Sequence, residues 1–167
     1  MQKRGNKAIV CDEIDIKINA KTQHAAEMFA EKYRNSDNKL VYLTGDASGN
    51  VETTHDHSTD YMIIENVLIR NGFRVKWEVP SFNPNINNRT NLACSLLKSM
   101  TGEIRCFIHP RCEMLINDLY KNVSDDKGGK DKKDPMQTHA SDWFDYGIVW
   151  MFEHEMWGTK TGQARIM

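Results

Sequence analysis

Two aspartates are candidates for chemistry because of the segments around them. Asp46 follows the apolar run Leu40–Leu43 and lies between Gly45 and Gly49, which allow a sharp turn that leaves its carboxylate exposed at a strand end. Asp142 opens a segment that is otherwise apolar, where a carboxylate needs either a solvent-facing position or a cation partner. Taken singly, Asp46 is also typical of a turn residue, and Asp142 of an acid at a helix N-terminus, where the helix dipole favours it.

Taken together, the two aspartates predict a site for a hard divalent cation. Carboxylate oxygens are ligands that Mg²⁺ and Mn²⁺ prefer, and a strand end and a helix packed on the sheet can bring two carboxylates face to face. His139 lies three residues before Asp142, so both side chains project from one side of a helix. We therefore expect Asp46 and Asp142 to bind Mg²⁺ or Mn²⁺ together, with His139 beside them.

The elements that must position these residues alternate between strand and helix patterns. Strands are predicted over residues 8–16, 40–43, 73–79 and 103–108. Helices are predicted over residues 22–33, 58–71, 87–100, 112–120 and 138–156, with Thr22 and Ser58 as N-caps and Gly72 ending the second helix. This alternation predicts an α/β fold with helices covering a sheet, in a single domain over residues 1–157 followed by a tail over 158–167.

The composition limits the possible partners. With 40% hydrophobic and 27% charged residues among 167, the sequence is typical of a globular protein. Its formal net charge is −1, so any contact with DNA must come from a local patch. No apolar run approaches the roughly 20 residues needed to cross a bilayer, and we expect no membrane association. The four cysteines form no CxxC pair, which favours free buried thiols over a zinc site.

Five short motifs follow one another along the chain. They are VYLTGDASG (41–49), STDY (58–61), Val79-Pro80 with Asn83-Pro84 and Arg89, HPRC (109–112) and THASD (138–142). Their order and spacing resemble those of the C-terminal nuclease domain of large terminase subunits, the proteins that drive phage DNA packaging. Each motif is short, and the specificity of the resemblance comes from their order over most of the chain.

The resemblance implies an RNase H-like fold, a mixed sheet flanked by helices, in an endonuclease that cuts concatemeric viral double-stranded DNA. It implies that Asp46 and Asp142 are the second and third acidic ligands of two Mg²⁺ or Mn²⁺ ions, and that His139 belongs to the last motif. In such a site one ion activates the attacking water and the other stabilises the leaving 3′-oxygen. In the family the first acidic ligand lies on an earlier strand, which we expect this chain to lack. The implied setting is the host cytoplasm, with the terminase ATPase domain and the portal as partners.

Three further carboxylates are candidates for the same site. Asp60 is a possible accessory ligand, although an acid in the first turn of a helix is common for electrostatic reasons alone. Asp12 and Glu13 are neighbours on a predicted strand, so only one of them can face the site.

Two other functions compete with a terminase nuclease. The chain could be a non-catalytic or split-gene fragment of the terminase that docks on the rest of the motor. It could also be another RNase H-like nuclease, a resolvase or an exonuclease, since these share aspartates on a sheet and on a late helix. The Asn-Pro and His-Pro-Arg-Cys motifs favour the terminase over these.

The charged segment over residues 122–135 generates a prediction about DNA binding. Its lysines are candidates for phosphate contact, and its aspartates offset their charge; the lysines are Lys127, Lys130, Lys132 and Lys133. Replacing all four lysines with Gln should weaken binding of double-stranded DNA mainly at low salt, because phosphate contacts release counterions. Affinity measured across a salt series tests this. An unchanged affinity and an unchanged salt slope would show that the segment makes no DNA contact.

Overall fold

Residues 1–18, 20–50, 58–121 and 139–156 are described by the structure, a computed structural model. In these ranges the chain has an α/β fold with five α-helices and a small mixed sheet, which confirms the predicted class. Contacts divide the chain into two units, a first unit of Met1–Asp12 with Pro84–Met167 and a second unit of Glu13–Asn83. The RNase H-like fold and the single domain over residues 1–157 stay predictions. The tail predicted over residues 158–167 lies outside the described residues.

The described elements follow the predicted order, with strand β1 and a 3-10 helix in addition. The strands are β1 (Gln2–Arg4), β2 (Lys7–Val10), β3 (Leu40–Leu43), β4 (Arg74–Trp77) and β5 (Cys106–Ile108). The helices are α1 (Thr22–Lys32), α2 (Asp60–Arg70), α3 (Ile86–Leu97), α4 (Glu113–Lys121) and α5 (His139–Met156), and a 3-10 helix covers Ala47–Asn50. None of the described helices is long and apolar enough to cross a membrane.

The sheet of the first unit has the order β1-β2-β5, with β1 antiparallel and β5 parallel to β2. The strand predicted over residues 8–16 ends at Val10, so the prediction that Asp12 and Glu13 lie on a strand is wrong. The ladder stops because Val10 pairs with Ile108, the last residue of β5, and the chain then turns at Pro110, which has no N–H to donate.

Strand β1 was not predicted from the sequence, because three exposed residues that include two cations show no apolar alternation. A tight turn joins it to β2, and Gly5 in this turn has a φ of 59°, a conformation that glycine adopts without steric cost. No residue of β1 is acidic. It is therefore not the strand with an acidic ligand that the resemblance implies.

Two predicted helix caps differ from the observed ones. Residue Lys21, not Thr22, is the N-cap of α1, and it makes no side-chain cap hydrogen bond. The N-cap of α2 is Thr59 rather than Ser58, and its hydroxyl accepts a hydrogen bond from the backbone N–H of Met62 at 3.1 Å. Gly72 does follow the end of α2 with a φ of 81°, as predicted.

Helix α5 forms the centre of the first unit's core. Its residues 144–149 are all buried, which explains why this stretch is apolar nearly all round. The side chains packed around it come from β2, α3 and α4, and include Ala8, Val10, Leu92, Leu96 and Leu115. The second unit has its own small core, in which Ala30, Leu68 and Phe73 pack together between α1, α2 and the parallel pair β3 and β4.

The four cysteines are free thiols, as predicted. Cys106 and Cys112 are buried in the first unit, and burial raises the pKa of the Cys106 thiol to about 11. Burial was the wrong expectation for Cys94, which lies exposed on α3. Cys106 therefore has a packing role, since a thiol with a raised pKa is a poor nucleophile at neutral pH.

The packing of α5 predicts a large stability difference between two aromatic substitutions. Phe144 is 0% exposed, so Phe144→Ala should lower the free energy of unfolding by about 3 to 5 kcal/mol. Tyr120 lies on α4 in the same unit and is 87% exposed, so Tyr120→Ala should change it by less than about 0.5 kcal/mol. Urea unfolding followed by circular dichroism measures both. Similar losses for the two variants would contradict the assigned core.

Candidate functional site

Asp46 is held in a turn at the carboxyl end of β3. Strands β3 and β4 are parallel, so the segments that follow them leave the same edge of the pair. Asp46 Oδ1 accepts hydrogen bonds from the backbone N–H of Ser48 at 2.7 Å and from the side-chain amide of Asn83, after β4, at 2.8 Å. The side-chain amide oxygen Oδ1 of Asn83 in turn accepts a hydrogen bond from the backbone N–H of Ala47 at 2.8 Å. The orientation of this carboxylate is thus fixed from two chain segments.

Tyr61 supports the same turn from α2. Its hydroxyl donates a hydrogen bond to the backbone carbonyl of Asp46 at 2.8 Å. A Cβ at Gly45 would lie 2.5 Å from the Tyr61 hydroxyl oxygen, and one at Gly49 would lie 2.9 Å from a ring carbon. Neither glycine has a positive φ. The two glycines are therefore required by the close approach of an aromatic ring, whereas the sequence suggested that they allow a sharp backbone turn.

Asp142 lies in the first turn of α5, and its Oδ1 accepts a hydrogen bond from Arg89 Nη2 at 3.1 Å. Its side chain is 21% exposed. Of the two arrangements that the sequence allowed for a carboxylate in this apolar segment, the structure contains the one with a cation partner. The partner comes from α3, 53 residues away in the chain.

Arg89 is 3% exposed and interacts with three residues of α5. Besides its bond to Asp142, its Nη1 donates to the hydroxyl of Tyr146 at 2.8 Å, and its guanidinium carbon lies 4.4 Å from the centre of that ring. Its Nε lies 4.0 Å from Oδ2 of Asp145, which is 2% exposed and accepts from the Thr90 hydroxyl at 3.0 Å. One buried cation therefore faces two carboxylates.

The start of α5 is also anchored from α4. The buried Asp118 accepts a hydrogen bond through Oδ2 from the backbone N–H of Ser141 at 2.7 Å. A carboxylate at this position satisfies one of the backbone donors that a helix N-terminus leaves without an intrahelical acceptor. The turn that carries Asp142 is thus held on two sides.

The remaining predicted site residues differ in what surrounds them. His139 is exposed at the start of α5. Asp60 accepts a hydrogen bond from the Thr22 hydroxyl at 2.7 Å, a contact between α1 and the first turn of α2 that gives this acid a structural role. Its role as an accessory ligand, like those of Asp12 and Glu13, stays a prediction. The four lysines of the 122–135 segment lie outside the described residues.

The donor chemistry of the two main candidates fits a hard divalent cation. Both Asp46 and Asp142 are carboxylates with one oxygen held by a donor from another chain segment, as is usual for carboxylates that ligate metals. Among the described residues there is no group of three or more His, Cys, Asp or Glu placed to hold an ion. Asp46 belongs to the second unit and Asp142 to the first, and their convergence stays a prediction.

Several residues around the two aspartates had no role assigned from the sequence. Asn83 and Arg89 lie within the motifs on which the resemblance to terminases was based, which was the available signal. Asp118 had none, because its contact with Ser141 depends on how α4 packs against α5. Comparisons of the chain with protein families, with curated proteins and with solved structures find no match. The resemblance to terminases therefore stays a prediction from the order of the motifs.

The contact between Tyr61 and Gly45 predicts a specific rescue. Gly45→Ala should lower the free energy of unfolding by about 1 to 3 kcal/mol, because the new methyl group overlaps the Tyr61 hydroxyl. Tyr61→Phe removes that oxygen and the bond to Asp46, at a cost of about 1 kcal/mol. In the Phe background the nearest ring atom to the new methyl would be 3.5 Å away, so most of the Gly45→Ala cost should disappear.

Gly49→Ala is the matched control for this cycle. Its methyl group would meet a ring carbon that Phe retains, so Tyr61→Phe should not relieve its cost. Urea unfolding of the single and double variants gives both coupling free energies. Equal coupling for the two glycines would refute the assigned contact.

Proposed function

We propose that this chain is a divalent-metal-dependent endonuclease domain that cuts concatemeric viral double-stranded DNA, as the large terminase subunits do. The observation that carries the proposal is the setting of its two motif aspartates. Asp46 lies at the carboxyl end of a parallel strand and Asp142 in the first turn of a buried helix, and each has one oxygen held by a donor from another segment. Such orientation is needed in a ligand and is not required of a solvated surface acid.

In this proposal Asp46 and Asp142 hold Mg²⁺ or Mn²⁺, and the other residues of the site orient these two carboxylates. Two such ions supply a hydroxide nucleophile at neutral pH and stabilise the leaving oxygen of a phosphodiester. Asn83 and Ser48 fix the direction of the Asp46 carboxylate, and Arg89 fixes that of Asp142. His139, exposed one turn from Asp142, is proposed to act beside them on the DNA.

A third acidic ligand completes the proposed site. Two ions held close together need carboxylates from several elements, and β1 carries none. We propose that a strand encoded upstream supplies it, in a packaging motor that also contains an ATPase domain and a portal and that works in the host cytoplasm.

A docking module without activity is the second candidate, and one contact favours it. The Asp142 carboxylate already has a cation partner in Arg89, which satisfies it electrostatically without a metal. In that case the chain would fold around a structural ion pair and serve to bind the rest of the motor.

Nuclease assays on longer and shorter proteins separate the two candidates. We expect the 167-residue chain to nick plasmid DNA poorly even in millimolar Mn²⁺, since two ligands hold two hard cations weakly. Appending the upstream strand with its aspartate should restore cutting, and Asp142→Ala in the longer protein should abolish it. Asp37→Asn in that protein, a change at an exposed carboxylate outside the candidate site, should leave most of the activity.

Two results would count against these expectations. A longer protein that binds DNA but never cuts it would favour the docking module. Robust cutting by the short chain, lost on Asp12→Ala or Glu13→Ala, would show that the segment after β2 supplies the third ligand.

A further inference from the structure

The three charged groups around Arg89 differ in their access to solvent. Arg89 and Asp145 are 3% and 2% exposed, whereas the Asp142 side chain is 21% exposed. The guanidinium keeps its proton under all ordinary conditions, so its charge must be balanced inside the protein. These three groups, one cation and two carboxylates, sum to one negative charge, and Asp142 is the solvent-accessible member.

Arg89 is fixed by contacts that do not involve Asp142. Tyr146 accepts a hydrogen bond from Nη1 and stacks beneath the guanidinium, and Thr90 holds Asp145 in place. Arg89 Nε lies 4.0 Å from Asp145 and has no hydrogen-bond partner among the described residues. Asp145 therefore acts on Arg89 through its charge, at short range and in a buried setting where screening is weak.

We propose that Arg89 and Asp145 form a buried, mutually neutralising pair that positions the Asp142 carboxylate for a divalent cation. Arg89 holds one oxygen of Asp142 by a hydrogen bond, and Asp145 offsets the positive charge that would otherwise repel a metal ion. The inference rests on the proposed function, and it assigns roles to two residues that touch no substrate. Arg89 and Asp145 are positioning residues that act through Asp142.

This arrangement combines firm orientation of the Asp142 carboxylate with little repulsion of a metal ion. A lone arginine beside a metal-ligating aspartate would orient the carboxylate but weaken cation binding by repulsion of like charges. A neutral donor would avoid the repulsion but orient the carboxylate less strongly, because charge-assisted hydrogen bonds are about twice as strong as neutral ones. With Asp145 behind it, Arg89 gives the strong hydrogen bond with little net repulsion.

Asp145→Asn is the variant that tests the charge role. It preserves the shape of the side chain and an oxygen for the Thr90 hydroxyl, but it leaves Arg89 balanced by Asp142 alone. We expect Mn²⁺ affinity at Asp142 to fall by roughly tenfold or more, as for other residues that support metal ligands. The affinity is read from Mn²⁺-induced broadening of the amide NMR signals in the first turn of α5, which needs no catalysis. Asp142→Asn should remove this broadening.

The double variant Arg89→Gln with Asp145→Asn distinguishes a charge effect from structural damage. It replaces a buried ion pair with neutral amides, a change that proteins often tolerate, and it restores the net charge of the cluster. Its Mn²⁺ affinity should exceed that of Asp145→Asn alone. Damage to packing predicts the opposite order, since the double variant changes more buried contacts.

Thr90→Val is the control, because it removes a hydrogen bond to Asp145 and keeps every charge. It should change Mn²⁺ affinity by less than about threefold if charge dominates, since a net hydrogen bond is worth only about 1 kcal/mol. Wild-type affinity in Asp145→Asn, or a double variant weaker than it, would overturn the inference while leaving the proposed function intact. No Mn²⁺ effect near Asp142, either in the wild-type chain or in the longer protein that carries the upstream aspartate, would overturn both.

Discussion

The buried guanidinium of Arg89 is the interaction on which the rest of the first unit depends. A cation that cannot release its proton must find acceptors in the core, and α5 supplies them from residues 142, 145 and 146. Residue 142 lies three residues before 145 and four before 146, so all three side chains project from one side of the helix. This fixes how α3 faces α5, and the apolar residues Leu92 and Leu96 continue the same contact away from the charge. Removing one member of such a buried group generally costs about 3 to 5 kcal/mol, because the other charge is left without compensation.

The two candidate ligands, Asp46 and Asp142, are oriented by different kinds of hydrogen-bond donor, although in each case the donors contact one carboxylate oxygen. Asp142 is held by a charged donor on a helix whose position is set by a large core. Asp46 is held by neutral donors, a backbone N–H and the Asn83 amide, in a turn whose geometry depends on Tyr61 lying close to Gly45. Neutral donors orient a carboxylate without adding a charge that would repel a cation.

Local patterns in the sequence predicted the order of the helices and strands, because periodicity and turn residues are properties of short segments. They predicted that strand β2 extends to residue 16, but it ends at Val10. The end of a strand is set by its partner, and the partner strand β5 ends at Ile108. The sequence also predicted that Asp142 needs either solvent or a cation, but it did not identify Arg89. Nothing in a single sequence links residues 53 positions apart, and only the packing of α3 on α5 makes them neighbours. The same holds for Asp118 and Ser141.

A fold that contains a metal-binding carboxylate must also be stable when no metal is bound. For this reason a metal ligand and a member of a structural ion pair can have the same surroundings. In the absence of a metal ion, an aspartate in an apolar segment destabilises the fold unless its carboxylate accepts a hydrogen bond from a nearby donor. Arg89 is the cation partner of Asp142, so α5 can pack without a metal. In the proposed site Asp145 offsets the charge of Arg89, so that Asp142 can also bind a second cation. Because a carboxylate offers about four lone-pair sites, the hydrogen bond from Arg89 uses only part of the capacity of Asp142. The ion pair between Arg89 and Asp142 therefore fits both a docking module and a metal ligand on a buried helix. The charge of Asp145 is the feature that distinguishes these two functions.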